Sequence, residues 1–534
     1  MAKYLAPTAA IGALYSTYFG LKKTDDVQTI KSIDEAIRQL NANENTDDAL
    51  RFISKFDFGA QPVYLSQLST RSLGILAGLG SELIHSSRVN MQRCKQEAND
   101  YLFQKILKQV SLGRDWDNEV DWLSRSPCSE DDLSCEDWQV WRPPQIERFY
   151  RILYKLFRET EKGALPTLNV NIVDFLYNAY ALFADNVPEV AMLILKILGN
   201  VALMDVVYAE RIFSSEWLMI LSSLVTHGDT LEKRLLAHKI CRNGLHALDT
   251  VPYKLHSDVY ELHVSPGKIE VDIVLIHGLC GSVFYTWRQK DNKSALISEC
   301  WPKDWLPLDI NEPIRILGID YPSFLLNMSG SAESFPARAE RFVNRLSSAG
   351  VGCRPVIFIC HSMGGLLAKK MLLESEELRK NTVGILFMAT PHRGSPIAAW
   401  SDYSLFLAPS EDVTFLRVNN EVNEKLNKDF EGVAKDISVI TTMVETKESA
   451  LIGTAKGLVV PAESAVFGQG VLYHIDAVHH EVCKPSERSS PAYRVILNFL
   501  RDSIASARKR KPPPNDKTND PPSSHLDHSI PVHH

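Results

Sequence analysis

No two cysteines in this chain have C-x-x-C spacing, and the nine of them, at 94, 128, 135, 241, 280, 300, 353, 360 and 483, make an odd total. That excludes the usual zinc knuckle and argues against a disulfide framework, leaving free thiols in a reducing compartment as the expected state. Nothing in the sequence calls for a metal or a cofactor. Cationic excess is missing as well: 58 Lys and Arg stand against 65 Asp and Glu, a net charge of −7. Nucleic acid is therefore not an expected partner. Long apolar runs are scarce. The uncharged stretch Tyr4 to Gly20 (YLAPTAAIGALYSTYFG) spans roughly 25 Å as a helix, short of a hydrocarbon core of roughly 30 Å, and Pro7 and two glycines dilute it. With no acid before Asp25, residues 1–24 suit an organelle-targeting or weak membrane-anchor segment, an ordinary first helix being the alternative.

What is present is the composition of a folded protein, 45% hydrophobic and 23% charged over 534 residues, enough for two or three domains. Residues 25–253 carry helical periodicity. In Val170 to Phe183 (VNIVDFLYNAYALF), Ile172, Phe175, Leu176, Ala179 and Phe183 recur at three- and four-residue steps. Further helices are predicted over Val190–Leu203, Glu216–Val225 and Leu231–Leu248. Two arrangements stay open for them: an armadillo-like array, suggested by ILKILGN at 194–200, or an irregular helical domain. The acidic, tryptophan-rich stretch Trp116 to Trp141, with Cys128 and Cys135 inside it, reads as a loop or insertion.

Over residues 254–505 the pattern changes to short β-rich runs separated by helix-length segments. Strands are predicted at Val271–Ile276, Ile314–Ile319, Val356–Cys360, Gly384–Met388 and Ile437–Val444. Their separations leave room for crossover helices, hence a mostly parallel sheet with helices on both faces. Residues 506–534, proline-rich and with the basic cluster Arg508 to Lys511 followed by Pro512-Pro513-Pro514, read as a disordered tail.

The chemistry concentrates at Val356 to Met371 (VIFICHSMGGLLAKKM), where an apolar strand runs through Cys360-His361-Ser362-Met363-Gly364 into a helix. This is the setting of a nucleophile elbow, a turn so tight that its flanking side chains must be small. Ser362 is the candidate nucleophile. Cys360 stands where the G-x-S-x-G pattern has its first glycine, a departure that a small residue tolerates. Upstream, VDIVLIHGLCG places His277-Gly278-Leu279 at the end of a strand. The backbone N–H of Leu279 is expected to join that of Met363 as an oxyanion hole, with His277 structural rather than catalytic. A serine nucleophile needs a base and a carboxylate, here in the chain order Ser, acid, His. His479 is the expected base, with His480 and His474 as rivals. Glu445, at the end of a strand, is the expected acid, with Glu463 and Asp476 as alternatives. Between Ser395 and Asp429 the apolar cluster of Trp400, Tyr403, Leu405, Phe406 and Leu407 suits a lid over acyl chains or simply core packing.

His277-Gly278-Leu279, the HSMGG run from His361, ATPHRGS from Ala389, Val459 to Ala465 and His479 to Pro485 together resemble the serine-active-site-containing protein 1 family, within the lipase-like α/β-hydrolases. The likeness covers about Val271 to Arg501. It implies an α/β-hydrolase domain over residues 254–505. It further implies hydrolysis or acyl transfer on phospholipid esters, particularly phosphatidylglycerol remodelling, at mitochondria and their contacts with endoplasmic reticulum, with a link to cholesterol handling. Membrane association is expected with it. The family motif supports Ser362 and His479; Glu445 is inferred from its place at the strand end. The rival expectation is a non-catalytic adaptor whose helical domain binds a protein partner while the hydrolase fold serves as scaffold.

Overall fold

The computed structural model describes residues 32–42, 49, 52–53, 67–78, 143–165, 172–265, 267–290, 299–323, 333–396, 410–450 and 456–510. The targeting or anchor segment, the acidic tryptophan-rich stretch, the proposed lid cluster from Trp400 to Leu407 and the tail beyond residue 510 lie outside them.

The amino-terminal region is helix-rich. Ile172–Phe183, Pro188–Val201, Trp217–His227 and Leu231–Ala247 match the predicted helices to within a turn, joined by Pro143–Glu161 and Val206–Phe213. Local chemistry sets their ends: Asp205 accepts from the N–H of Val207, and Thr230 from that of Lys233. Phe213 is fully buried between helices because Gly74 and Gly244 let its ring approach. A Cβ at either would come within 2.6 Å of that ring.

The second unit is a sheet of seven strands. In chain order they are β1 (Val259–Val264), β2 (Val271–Ile276), β3 (Ile314–Ile319), β4 (Val356–His361), β5 (Thr382–Met388), β6 (Val439–Glu445) and β7 (Val471–Ile475). Their spatial order is β1-β3-β2-β4-β5-β6-β7, parallel throughout except for β1, which runs antiparallel to β3. The strand predicted from Ile437 begins two residues later, at Val439. The N–H of Ile437 is taken by the carbonyl of Ala434 in the turn that ends the preceding helix.

Side chains alternate across the sheet as the pleat requires. Ile273, Leu275, Ile357 and Ile359 face a core that is continuous with the helical unit and with the final helix, Pro491–Lys509. Val274, Ile276, Phe358 and Cys360 face a second core, under Phe335–Ser348, Gly364–Glu374 and Glu421–Ala434. The final helix extends to Lys509, inside the segment expected to begin the tail.

Register aligns the carboxyl ends of the parallel strands: Ile276 lies beside Cys360, Cys360 beside Phe387, Met388 beside Met443, and Glu445 beside Ile475. In open parallel sheets the functional crevice lies at this edge.

Candidate active site

Ser362 leaves β4 with a φ of 51°, a left-handed conformation that costs a non-glycine residue about 1–2 kcal/mol. The turn is held there by the Ser362 N–H, which donates to the Met388 carbonyl at 2.8 Å. The following glycines are steric necessities. A Cβ at Gly364 would lie 2.4 Å from the Ile276 carbonyl oxygen, and one at Gly365 would lie 2.2 Å from Thr390 Oγ1. The helix Gly364–Glu374 thereby starts directly behind the serine, with its amino terminus toward it.

His479 comes from the loop after β7, 117 residues on, and its Nε2 accepts from Ser362 Oγ at 3.1 Å. Its Nδ1–H donates to Glu445 Oε2 at 2.5 Å. Glu445 ends β6 with its side chain fully buried, and its other oxygen accepts from the Val460 N–H at 3.0 Å. The carboxylate is thus pinned from both sides and can hold only one imidazole tautomer, the one whose Nε2 is free to take a proton. The rivals fall elsewhere. His474, His480 and Glu463 are exposed, and Asp476 is exposed and paired with Lys447.

Gly278 is packed against the serine so tightly that a Cβ there would come within 2.5 Å of Ser362 Cβ and 3.2 Å of its Oγ. This sets the Gly278–Leu279 turn beside Ser362. Among the described residues, neither the Leu279 N–H nor the Met363 N–H has a hydrogen-bond acceptor. His277 is buried, stacked on Tyr321 with ring centroids 4.2 Å apart, and takes no part in the serine–histidine pair.

Three contributors were not singled out by pattern. His361 donates from Nε2 to the His479 carbonyl at 3.1 Å, tying the His479 loop to the turn at Ser362. Burial, reinforced by neighbouring His479, holds its imidazole well below the ordinary range, so it stays neutral. Ser464 Oγ donates to the Gly394 carbonyl at 2.5 Å and accepts from the Arg393 N–H at 3.1 Å, linking the ATPHRGS loop to the segment that bonds Glu445. Lys369, on the elbow helix, is buried with Nζ 2.7 Å from His392 Nδ1 and 2.5 Å from Asn427 Oδ1, and 4.0 Å from the centroid of the Phe467 ring. Burial drives its amine well below the usual lysine range. Adjacency to Ser362 was the available signal for His361; an isolated Lys in a helix gives none.

Cys360 sits in the second core with no exposed surface, and burial pushes its thiol up. The six described cysteines are all free thiols.

Comparison with known proteins adds the lineage. Residues 273–439 match the family model of the alpha/beta hydrolase family. Over 358 residues the chain is 35% identical to Protein SERAC1 of Bos taurus, covering 62% of this chain and 54% of that protein. It is 33% identical over the same length to Protein SERAC1 of Homo sapiens, with the same coverage of each. The chain spans about half the length of the curated relatives it matches. Among solved structures, the mature lipase BlEst2 of Bacillus licheniformis overlaps 43% of this chain and 94% of its own at 15% identity, with a TM-score of 0.31. Phospholipase PlaB from Legionella pneumophila overlaps 44% of this chain and 62% of its own at 12% identity, with a TM-score of 0.35. Overlaps this loose bear on nothing further. Sheet order, strand-end site and sequence identity meet in one conclusion: the chain carries an α/β-hydrolase domain and is a homologue of the SERAC1 proteins.

Proposed function

We propose that this chain is a serine esterase or acyltransferase acting on phospholipid esters, with Ser362 as nucleophile, His479 as base and Glu445 as the acid. The observation that supports it is the relay of 3.1 Å and 2.5 Å from Ser362 through His479 to Glu445. In this reading Ser362 Oγ attacks the ester carbonyl while its proton passes to His479 Nε2, and Glu445 stabilises the imidazolium. The oxyanion is met by the Leu279 and Met363 N–H groups. His479 returns the proton to the departing alcohol. Water or the hydroxyl of a second lipid then takes the acyl group from Ser362.

The choice of phospholipid, and of phosphatidylglycerol remodelling in particular, rests on the family resemblance, as do the setting at mitochondrial contacts with endoplasmic reticulum, the membrane association and the link to cholesterol handling. Among the described residues no helix is long and apolar enough to cross a membrane. A fluorophosphonate probe tests the chemistry: it should label the native protein and not Ser362→Ala. Absence of Ser362-dependent labelling in two folded proteins would favour the adaptor. Lipid profiling of cells carrying either form tests the substrate, and unchanged phosphatidylglycerol species would remove that assignment. Deleting residues 1–23 tests anchoring, which unchanged membrane fractionation would contradict.

A further inference from the structure

We infer that His277 and Ser323 are positioning residues that aim the Leu279 N–H at the nucleophile, an inference that rests on the esterase reading above. The carbonyl of Gly278 receives three donors: His277 Nδ1–H at 2.9 Å, Ser323 Oγ–H at 3.3 Å and the Gly281 N–H at 3.1 Å. A trans peptide is planar, so its C=O and N–H point to opposite sides. Anchoring the Gly278 oxygen therefore fixes the direction of the Leu279 N–H without touching it. That N–H has no acceptor among the described residues, while the Cα of Gly278 faces Ser362.

The imidazole can perform this task in one tautomer only, and the surroundings impose it. The Tyr321 N–H, which can only donate, lies 3.2 Å from His277 Nε2. Nε2 must then be the acceptor, which leaves the proton on Nδ1, facing a carbonyl that can only accept. Tyr321 also donates from its hydroxyl to the His277 carbonyl at 2.5 Å and stacks on the ring, so the imidazole is fixed in position as well as in tautomer. Asp320 Oδ1, 3.6 Å from Nε2, is beyond hydrogen-bond distance and accepts from the Val283 N–H at 2.9 Å. Ser323 braces the same turn a second time, its carbonyl accepting from the Cys280 N–H at 2.9 Å. Gly281 completes the fit: a Cβ there would stand 2.9 Å from His277 Nδ1 and 3.0 Å from the Gly278 oxygen.

The test uses the full chain with p-nitrophenyl butyrate as substrate and a trifluoromethyl ketone as a probe that forms an oxyanion on Ser362. His277→Leu should lower kcat by roughly 10²-fold, the scale of losing one oxyanion donor, with KM nearly unchanged. Affinity for the ketone should fall in step with kcat. His277→Asn, which carries an N–H at the same distance from the backbone, should restore most of both. Ser323→Ala should lower kcat by roughly fivefold, the worth of one neutral hydrogen bond. It decides the matter should His277→Leu fail to fold. Native kcat and ketone affinity in folded His277→Leu, or in Ser323→Ala if that variant must decide, would overturn the inference while leaving the esterase intact. Loss of kcat without loss of ketone affinity would also overturn it. A native protein that neither turns over the ester nor binds the ketone would instead remove the esterase reading itself.

Discussion

Replacing Gly278 by alanine probes the site where backbone, not side chain, sets the geometry. The new Cβ would stand 2.5 Å from Ser362 Cβ, 3.0 Å from the His361 carbonyl oxygen and 3.2 Å from Ser362 Oγ. Carbon atoms rest at about 3.5–4.0 Å, so the two backbones must part by about 1 Å. Neither side yields easily. Ser362 is locked by its left-handed turn and its bond to Met388, and Gly278 by the donors on its carbonyl. A displacement of about 1 Å costs on the order of 10²-fold in rate, or about 2.7 kcal/mol of barrier. Overpacking costs about 1–3 kcal/mol of stability, which a domain stable by roughly 5–15 kcal/mol survives. The expected result is thus a folded protein with kcat on p-nitrophenyl butyrate reduced about 10²-fold. Gly432→Ala is the control. It lies in the helix Glu421–Ala434 with nothing within 4 Å of the added carbon, and should raise stability by roughly 0.5–1 kcal/mol at unchanged kcat. Urea unfolding and ester turnover measure both. A folded Gly278→Ala protein with native kcat would mean that chemistry does not occur at Ser362.

Glu445→Gln would present an amide N–H₂ to His479 Nδ1 while its oxygen keeps the Val460 N–H, forcing the wrong tautomer; kcat should fall by up to about 10⁴-fold with the melting temperature little changed. Lys369 has its amine depressed by burial, so between its folded value and the ordinary lysine value of 10.5 the unfolded chain binds the extra proton and stability rises with pH. Lys369→Met should flatten that rise. Urea midpoints from neutral pH to pH 10 compare the two, and parallel curves would contradict a neutral amine. Cys360→Gly should cost about 1–2 kcal/mol, from lost packing and the glycine's chain entropy, yet leave fluorophosphonate labelling of Ser362 at its native rate. Slower labelling would show that the thiol does more than fill space.

Five parallel strands, β2 to β6, were legible because each is mostly apolar and buried on both faces, whereas β7, exposed at all but Ile475, was not placed by its sequence. Val271–Ile276 and Ile314–Ile319 stand where their sequences place them. β1 was hidden for the opposite reason. Its Glu261 and His263 interrupt the pattern, and Glu261 is tolerated inside only because Arg242 approaches at 3.1 Å and Tyr253 donates to it at 2.7 Å. No sequence window holds all of those groups. Ser362, His479 and Glu445 were readable from chain order and strand ends, whereas the separation of Glu463 and Asp476 from His479 became visible only in the third dimension. The peptide-orienting network was illegible: Tyr321 and Ser323 follow β3 without any pattern of their own, and only the register of β3 beside β2 carries them to His277.

The left-handed turn at Ser362 sets activity and robustness against each other. Glycine at this position would adopt the φ of 51° without strain, so Ser362→Gly should unfold at a higher urea concentration than the native protein while losing all Ser362-dependent labelling. A screen of random variants for heat resistance alone would therefore enrich inactive protein. Selection for a sturdier version of this fold needs turnover in the assay from the first round.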